Sequence, residues 1–355
     1  MNHELLGDSP RAARSAVAGF LADRGEPSYR AGQALEWIYD HGARGFDAAT
    51  SLPAGLRCSL DDAFSLTPLE MVSEVRSRDE VVKHLWGLDD GERIESVLIP
   101  SSTRVTLCIS SQAGCALGCL FCATGAFGFR RHLRAAEIAA QFRDAAARSV
   151  ELYGRGVTNV VYMGMGEPFA NTGPVLSSLE VLHEGFGLGA RRITVSTVGL
   201  VPGIRALAAT PGQFGLAVSL HSPDHELRLE LMPVERRYPL PDLMDALREY
   251  QAVKNRRLSF EYTLISGVND DPLLAEGLAR LVSDLTCFVN LIPFNPIPSQ
   301  PAWKPSPPGR IAEFAARLER RGLRHAVRTP RGRDIAAACG QLRLADAARA
   351  PASTG

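Results

Sequence analysis

The chain lacks three features: a net charge, a long apolar run and a leader-like N-terminus. Lysine and arginine together number 39, as do aspartate and glutamate, so the formal net charge is zero. Overall charge therefore does not indicate a nucleic-acid partner, although basic residues gathered on one face would still do so. No apolar run approaches ~18 residues, which predicts that no segment spans a membrane. Residues 1–10 contain neither a basic nor an apolar region, so we expect no signal peptide and a cytoplasmic protein.

The chain also lacks the paired ligands of a zinc site. Three of its seven cysteines, Cys115, Cys119 and Cys122, have the spacing Cys-x3-Cys-x2-Cys. Zinc usually takes four ligands, a thioredoxin-type pair would leave Cys115 unused, and disulfide frameworks belong to small secreted domains. Three thiolates on a glycine-punctuated loop suit three irons of a 4Fe–4S cluster and leave the fourth iron open to a small molecule. This spacing is typical of radical S-adenosylmethionine (SAM) enzymes.

The length and the apolar content bound the architecture. With 355 residues, 45% of them apolar, the chain has room for two or three domains, or for one large α/β barrel with an appendage. Helical spacing of apolar residues at 11–23 and 30–41 indicates two helices. Strand-like alternation at 71–75 and 94–99 flanks a turn at residues 89–91. The predicted parts are a small helical accessory domain (1–70), which could serve as a platform for a large substrate, a small antiparallel β extension (71–104), a partial barrel (105–343) and a disordered tail (344–355).

Strand and helix patterns alternate through the third part. The predicted strands are 105–110, 159–163, 192–197, 214–220, 259–265, 287–294 and 324–328, and helical patterns at 135–149, 241–253, 273–285 and 310–321 lie between most of them. This alternation predicts an α/β fold with right-handed crossovers, an incomplete (β/α)6-type barrel similar to a TIM barrel. A site in such a fold lies at the carboxyl ends of the strands, and the cysteine loop follows the first strand.

Small polar residues follow several other predicted strands. Gly166 and Glu167 come after the second strand, where glycine lets the backbone approach a ligand and the carboxylate could hold the ammonium of an amino acid. Each residue alone is more often a strand cap, but a set at one rim predicts a shared pocket. The remaining members of this set are Ser196, Ser219, Leu220, His221 and Asn295.

Four cysteines lie outside the cluster motif. Cys58 and Cys287 fit small buried apolar residues. Cys108 lies seven residues before Cys115, and Cys339 lies in a glycine-flanked segment near the C-terminus. Spacing alone does not distinguish Cys339 from a buried structural cysteine.

With these motifs in hand, the chain resembles the RlmN/Cfr family of radical SAM RNA methyltransferases over nearly its whole length, and RlmN more than Cfr. The matching segments are 25–31, 37–39, 108–122, 164–168, 193–199, 219–221, 289–296 and 331–342. RlmN-like enzymes methylate carbon 2 of an adenosine in 23S ribosomal RNA and of one beside the tRNA anticodon. Cfr-like enzymes methylate carbon 8 of the same ribosomal adenosine, and this is the alternative activity. A cluster protein that binds RNA or carries electrons without turnover is the second alternative.

The resemblance also implies a mechanism and its residues. The cluster would be held by the three motif cysteines, SAM by the strand-end set, and two SAM would be used per turnover. A methyl group would pass first to Cys339, and a radical formed from the second SAM would activate it for addition to the adenine. Cys108 would then release the product by forming a disulfide with Cys339. Glu95 matches the family's proton acceptor, and Cys108 has also been considered for that role.

The resemblance implies partners as well. The RNA must be unfolded or its adenosine flipped out to expose the adenine. The candidate RNA-binding parts are the helical domain (1–70) and the arginines Arg130 and Arg131. We expect a flavodoxin-type electron donor and a monomer. Two segments depart from the family pattern: residues 77–81 lack the usual Asp-Gly-Thr turn, and His132 replaces an asparagine. These departures concern the choice of RNA and of ring carbon.

Overall fold

The computed structural model describes residues 2–342, and the predicted disordered tail lies outside them. The strands are β1 (His3–Glu4), β2 (Phe64–Ser65), β3 (Glu70–Arg76), β4 (Val82–Gly87), β5 (Arg93–Pro100), β6 (Val105–Cys108), β7 (Gln112–Gly114), β8 (Phe129–His132), β9 (Asn159–Tyr162), β10 (Ile193–Thr197), β11 (Gly215–Ser219), β12 (Leu258–Leu264), β13 (Cys287–Pro293) and β14 (His325–Val327). The helices are α1 (Pro10–Ala22), α2 (Tyr29–Tyr39), α3 (Ala54–Ala63), α4 (Ala123–Ala126), α5 (Ala135–Tyr153), α6 (Thr172–Glu180), α7 (Val201–Ala209), α8 (His225–Leu231), α9 (Leu240–Lys254), α10 (Pro272–Leu281) and α11 (Pro308–Arg320).

One ten-stranded sheet organises the fold. Its order is β14-β13-β12-β11-β10-β9-β6-β5-β4-β3. The seven strands from β6 to β14 in this sheet are parallel and follow chain order, joined by helical crossovers. Among the described residues, β14 pairs only with β13 and β3 only with β4, so the sheet does not close. The predicted incomplete barrel is confirmed, and all seven predicted strands are present.

Alternation along the strands separates a core face from an inner face. In β12, the side chains of Leu258, Phe260, Tyr262 and Leu264 are fully buried, whereas the residues between them are partly exposed. The buried set packs into the main apolar core beneath the helices. The opposite face therefore presents the polar residues of the strands to the interior of the barrel.

The β extension has one strand more than the two predicted from alternation. β4 lies between β3 and β5 and pairs with both in antiparallel register. Its residues Val82–Trp86 are all buried, so no alternation marks it. The predicted turn is present, with Leu88 N–H donating to Glu92 O over 2.9 Å and Gly91 at φ +83°.

The N-terminal helices share their core with the barrel. α1 and α2 confirm the two predicted helices. Val17, Leu21 and Ile38 are fully buried in the same apolar cluster as the inner side chains of α5 and α6. The division at residue 70 stays a prediction. Within residues 2–342, no helix combines the length and apolarity that crossing a membrane requires.

Hydrogen bonds from a buried ion pair in α5 connect the barrel to the segment that follows α3. Arg143 of α5 is fully buried and pairs with Asp144 at 2.8 Å. Its guanidinium also donates to the carbonyl oxygens of Leu66 and Thr67, and Asp144 accepts from Leu69 N–H at 3.3 Å. The backbone that leaves the N-terminal helices is thereby bonded to the first long barrel helix.

Candidate active site

One cavity opens at the carboxyl ends of the parallel strands. It encloses about 1020 Å³, part of which is open to solvent. Most of the predicted site residues line it: Cys115, Cys119, Cys122, Gly166, Glu167, Ser196, Ser219, His221, Asn295 and Cys339. Three others, Cys108, Glu95 and Leu220, are not among the described residues that line this cavity.

The cysteine loop is held by the β7–β8 hairpin. Cys115 N–H donates to Gly128 O over 3.0 Å just after β7. Gly114 has φ +78°, and a Cβ there would lie 2.0 Å from the same oxygen, so this close approach requires glycine. The third cysteine of the motif directly precedes α4. All seven cysteines fall within the described residues, and none forms a disulfide.

The donor set fits an iron–sulfur cluster. Burial raises the pKa of Cys115 to about 12, with further increases from the charges of Cys122 and Glu167. Burial also raises the pKa of Cys119, and the nearby cysteines add to the rise. Bound iron would supply the positive charge that such thiolates need. Within residues 2–342, no three His, Cys, Asp or Glu side chains meet around a single ion. A cluster does not demand that arrangement, because each iron takes one cysteine.

Glu167 is a buried carboxylate in the loop after β9. Burial raises its pKa to about 7, although three hydrogen bonds to the carboxylate act to lower it. Its Oε1 accepts from Thr197 Oγ1 (2.7 Å) and Phe169 N–H (3.0 Å), and its Oε2 accepts from Val198 N–H (2.9 Å). These donors fix the carboxylate and leave acceptor capacity for a cation such as an ammonium.

The other strand-end residues differ in what they present to the cavity. Ser196 and Ser219 are half-buried at its wall. His221 Nδ1 lies 2.9 Å from Thr263 N–H and must accept its proton, so the neutral ring carries its own proton on Nε2. Burial lowers the pKa of His221 to about 3, which keeps the ring neutral. Leu220 is fully buried in the main core, so it can offer a ligand only its backbone.

Glu261 is a cavity residue that the sequence analysis missed. It lies in the middle of β12, and burial raises its pKa to about 7. Asn290 Nδ2 donates to its Oε1 over 2.7 Å, and Arg328 Nε donates to Asn290 Oδ1 over 2.6 Å. A lone carboxylate between Phe260 and Tyr262 in an apolar strand was the available signal, since alternation points it to the barrel interior.

Cys339 lies at the cavity, and Cys108 and Glu95 lie beneath its segment. Asn295 Nδ2 donates to Cys339 O over 3.2 Å. Cys339 as a residue is exposed, whereas its sulfur is desolvated at the cavity wall; this desolvation and then the charge of Glu261 raise its pKa to about 11. Cys108 packs in an apolar cluster with Ala337, and burial together with the nearby Cys339 raises its pKa further than that of Cys339. Glu95 is buried and pairs with Lys83 at 3.0 Å.

Comparisons with known proteins agree along the whole chain. Residues 109–275 match the Radical SAM superfamily, and residues 11–66 match the Ribosomal RNA large subunit methyltransferase N-terminal domain. The chain is 47% identical over 342 residues to a probable dual-specificity RNA methyltransferase RlmN from Gemmatimonas aurantiaca, covering 96% of this chain and 93% of the relative. It is 45% identical to the dual-specificity RNA methyltransferase RlmN of Syntrophobacter fumaroxidans, covering 90% and 92%.

A solved structure agrees as well. The crystal structure of a radical SAM methyltransferase from Sphaerobacter thermophilus superposes with a TM-score of 0.89 at 49% identity, covering 93% of this chain and 97% of the other. High identity over nearly complete lengths, together with a cysteine loop and a cavity at the expected strand ends, leads to one conclusion. The chain belongs to the RlmN family of radical SAM RNA methyltransferases.

Proposed function

We propose that this chain methylates carbon 2 of one adenosine in 23S ribosomal RNA, and of the adenosine beside a tRNA anticodon, through a methyl group carried on Cys339. The observation that carries the proposal is that Cys339 shares one cavity with the three motif cysteines and Glu167. The dual specificity named for the relatives supports two classes of RNA.

Family membership assigns a 4Fe–4S cluster and SAM as cofactors. In the proposal, Cys115, Cys119 and Cys122 hold the cluster, and the strand-end residues hold SAM, with two SAM used per turnover. When bound, these groups supply an electron, a methyl group and a radical that removes a hydrogen atom. Glu167 would orient the ammonium of the SAM methionine part, because its carboxylate is already fixed by three donors.

Cys339 must lose a proton before it can take the methyl group. Its sulfur forms a bond to the methyl carbon while the bond from that carbon to the sulfonium sulfur breaks. Since the pKa of Cys339 is raised to about 11, its thiol needs a proton acceptor at neutral pH. Glu261 lines the same cavity with a pKa near 7 and is placed to accept that proton.

The proposal assigns product release to Cys108. In the proposal its thiolate attacks the Cys339 sulfur, the disulfide forms, and the bond from that sulfur to the RNA-linked carbon breaks. The electron pair goes to the carbon, which takes up a proton. The packing of Cys108 against Ala337 supports this pairing. Removal of the ring proton is proposed for Glu95, which pairs with Lys83 at 3.0 Å, or for Cys108.

RNA contacts and other partners belong to the same proposal. Arg130 is exposed beside the cysteine loop, whereas Arg131 donates to both carboxylate oxygens of Glu137 at 2.8 Å. We propose Arg130 as the contact from this hairpin. A flavodoxin-type electron donor and a monomeric enzyme stay predictions.

Nucleoside mass spectrometry tests the reaction. Reconstituted enzyme, reductant and SAM with a deuterated methyl group are incubated with 23S ribosomal RNA and, separately, with tRNA. We expect labelled 2-methyladenosine in both RNAs and 5′-deoxyadenosine in the supernatant. Labelled 8-methyladenosine would instead establish the Cfr-type activity, and the absence of both products would favour a cluster protein without turnover.

Two cysteine variants test the covalent route. Cys339→Ala should abolish methylation of the protein itself, read from intact mass. Cys108→Ala should load its methyl group but remain cross-linked to RNA. Free methylated RNA from the Cys108 variant at the wild-type rate would contradict the release step.

A further inference from the structure

The segment that bears Cys339 has little regular structure of its own. Residues 331–342, called the C-terminal segment below, contain only one short 3-10 turn, Arg333–Ile335. Gly332 and Ala336 both have left-handed backbones, at φ +67° and +50°. For an alanine this conformation costs about 1 kcal/mol. Contacts from elsewhere must therefore keep the segment at the cavity.

The turn between β3 and β4 provides such contacts at the start of the segment. The Asp79 carboxylate accepts from Arg331 Nε at 3.1 Å and from Gly332 N–H at 3.2 Å. Arg331 also donates to the carbonyl oxygens of Asp79 and Pro100. A Cβ on Gly332 would lie 2.9 Å from a methyl carbon of Val81, so the segment is pressed against the start of β4.

A second carboxylate, that of Asp334 in the C-terminal segment, bonds to the same turn. Asp334 Oδ2 accepts from Arg78 N–H over 3.1 Å, and its Oδ1 lies within hydrogen-bond distance of Ser77 Oγ. Ser77 Oγ is also 2.6 Å from Asp79 Oδ1. One turn therefore binds both ends of the four-residue stretch 331–334.

Further contacts connect residues 331–334 to Cys339. Lys83 Nζ lies 3.4 Å from Ala336 O and thus supports the strained alanine. Arg333 Nε donates to Asn295 Oδ1 at 2.8 Å, and the same asparagine donates to Cys339 O. Gly340 O then accepts from Ala123 N–H at 2.7 Å, next to the cysteine loop.

We propose that Asp79 is a positioning residue for Cys339: by fixing Arg331 and Gly332, it holds the C-terminal segment over the cavity and keeps Cys339 beside Cys108. The catalytic meaning of this placement rests on the proposed function, but the placement itself does not. The Asp79–Arg331 ion pair is partly exposed and alone would stabilise little. The holding effect therefore comes from the shared carboxylate. Replacing the Asp79 side chain removes its contacts with Arg331 Nε, Gly332 N–H and Ser77 Oγ at once, whereas the carbonyl oxygen of Asp79 still accepts from Arg331.

Limited proteolysis of the full-length, cofactor-free protein tests the placement. Trypsin can cleave after Arg331 and Arg333, and mass spectrometry quantifies the released C-terminal fragment. We expect Asp79→Ala to raise the cleavage rate about tenfold, which corresponds to losing roughly 1.4 kcal/mol of local stability. Asp79→Asn keeps an acceptor oxygen, so its cleavage rate should lie between those of the wild type and of Asp79→Ala. The matched control is Glu80→Gln, because Glu80 in the same turn pairs with Arg76 and not with the segment.

A redox measurement links the placement to Cys339. The fraction of Cys108–Cys339 disulfide is measured in glutathione buffers, and the loosened segment of Asp79→Ala should need about tenfold more oxidising conditions for half formation. Unchanged cleavage in both Asp79 variants would overturn the proposal. Faster cleavage with an unchanged disulfide equilibrium would also overturn it, because Cys339 would then be positioned by its other contacts. If Asp79→Ala does not fold, Asp79→Asn provides the same two readouts, and Arg331→Gln, which removes one trypsin site, provides the disulfide readout. Failure of the wild-type chain to load a methyl group would refute the proposed function and leave these results standing.

Discussion

At the scale of single residues, the candidate site is a group of acids that burial has made less acidic. Glu167 and Glu261 have pKa values raised to about 7, and burial also raises the pKa values of Cys115 and Cys119. In a cavity that disfavours negative charge in this way, a bound positive charge favours the ionised forms, so cation binding is coupled to the release of protons. Iron and a sulfonium cofactor both bring that charge.

A pH series on cofactor-free protein tests this at Glu261. A carboxyl group whose pKa is higher in the folded protein contributes stability below its unfolded value of 4.5 and loses it as the pH rises through about 7. Glu261→Gln removes this loss. In urea unfolding, the free energy of the variant minus that of the wild type should therefore be larger at about pH 8 than at about pH 5, by roughly 2 kcal/mol.

The difference between the two proteins is the quantity to use. Burial lowers the pKa of His84 to about 4 and of His221 to about 3, so these histidines make the protein less stable as the pH falls below 6.5. Their effect opposes that of Glu261 in each curve and cancels in the difference. A difference that stays constant with pH would show that Glu261 is not buried as described.

At the scale of elements, the site depends on loops that approach each other closely. Gly166 has φ +96°, and a Cβ there would lie 2.5 Å from the Gln112 side chain. Gln112 Oε1 accepts from Glu167 N–H over 2.8 Å, so β7 and the loop after β9 are bonded at this point. The position of Glu167 follows from this contact.

Gly166→Ala should therefore damage the site more than the fold. We expect loss of about 1–3 kcal/mol of stability from the clash and the left-handed backbone, and a fall in SAM affinity of about tenfold or more, measured by calorimetry. Gly173→Ala in α6 is the control. A Cβ at Gly173 meets no atom of residues 2–342 within 4 Å, so this change should leave affinity intact and raise stability slightly. Equal affinities for SAM in the two variants would contradict the role of the contact.

Elements were predictable from the sequence where one face differs from the other. The seven parallel strands showed apolar patterns bounded by turn residues, and their shared strand ends placed the cysteine loop and Glu167 together. β4 was missed because its buried residues do not alternate. The contacts of Asp79 with Arg331, 252 residues further along the chain, could not be predicted, since nothing local in either segment refers to the other.

At the scale of the whole molecule, the N-terminal helices and the barrel form one core, and Arg143 lies at their junction. Arg143→Ala should leave Asp144 buried with much of its pairing lost and reduce the free energy of unfolding by about 3 kcal/mol or more. Urea unfolding measures the loss. The control is Arg205→Ala, which breaks an exposed pair with Glu249 and should change the free energy of unfolding far less. Similar losses in both variants would show that the junction adds no more than a surface ion pair.

The sheet also has a global consequence that follows from its strand order. Because strand order equals chain order, the β3–β4 turn and the residues after β14 belong to opposite margins of the ten-stranded sheet. Where these two margins meet, hydrogen bonds of carboxylates and a guanidinium connect them instead of strand pairing. A ladder would fix the diameter, whereas a polar seam can part and re-form at modest cost.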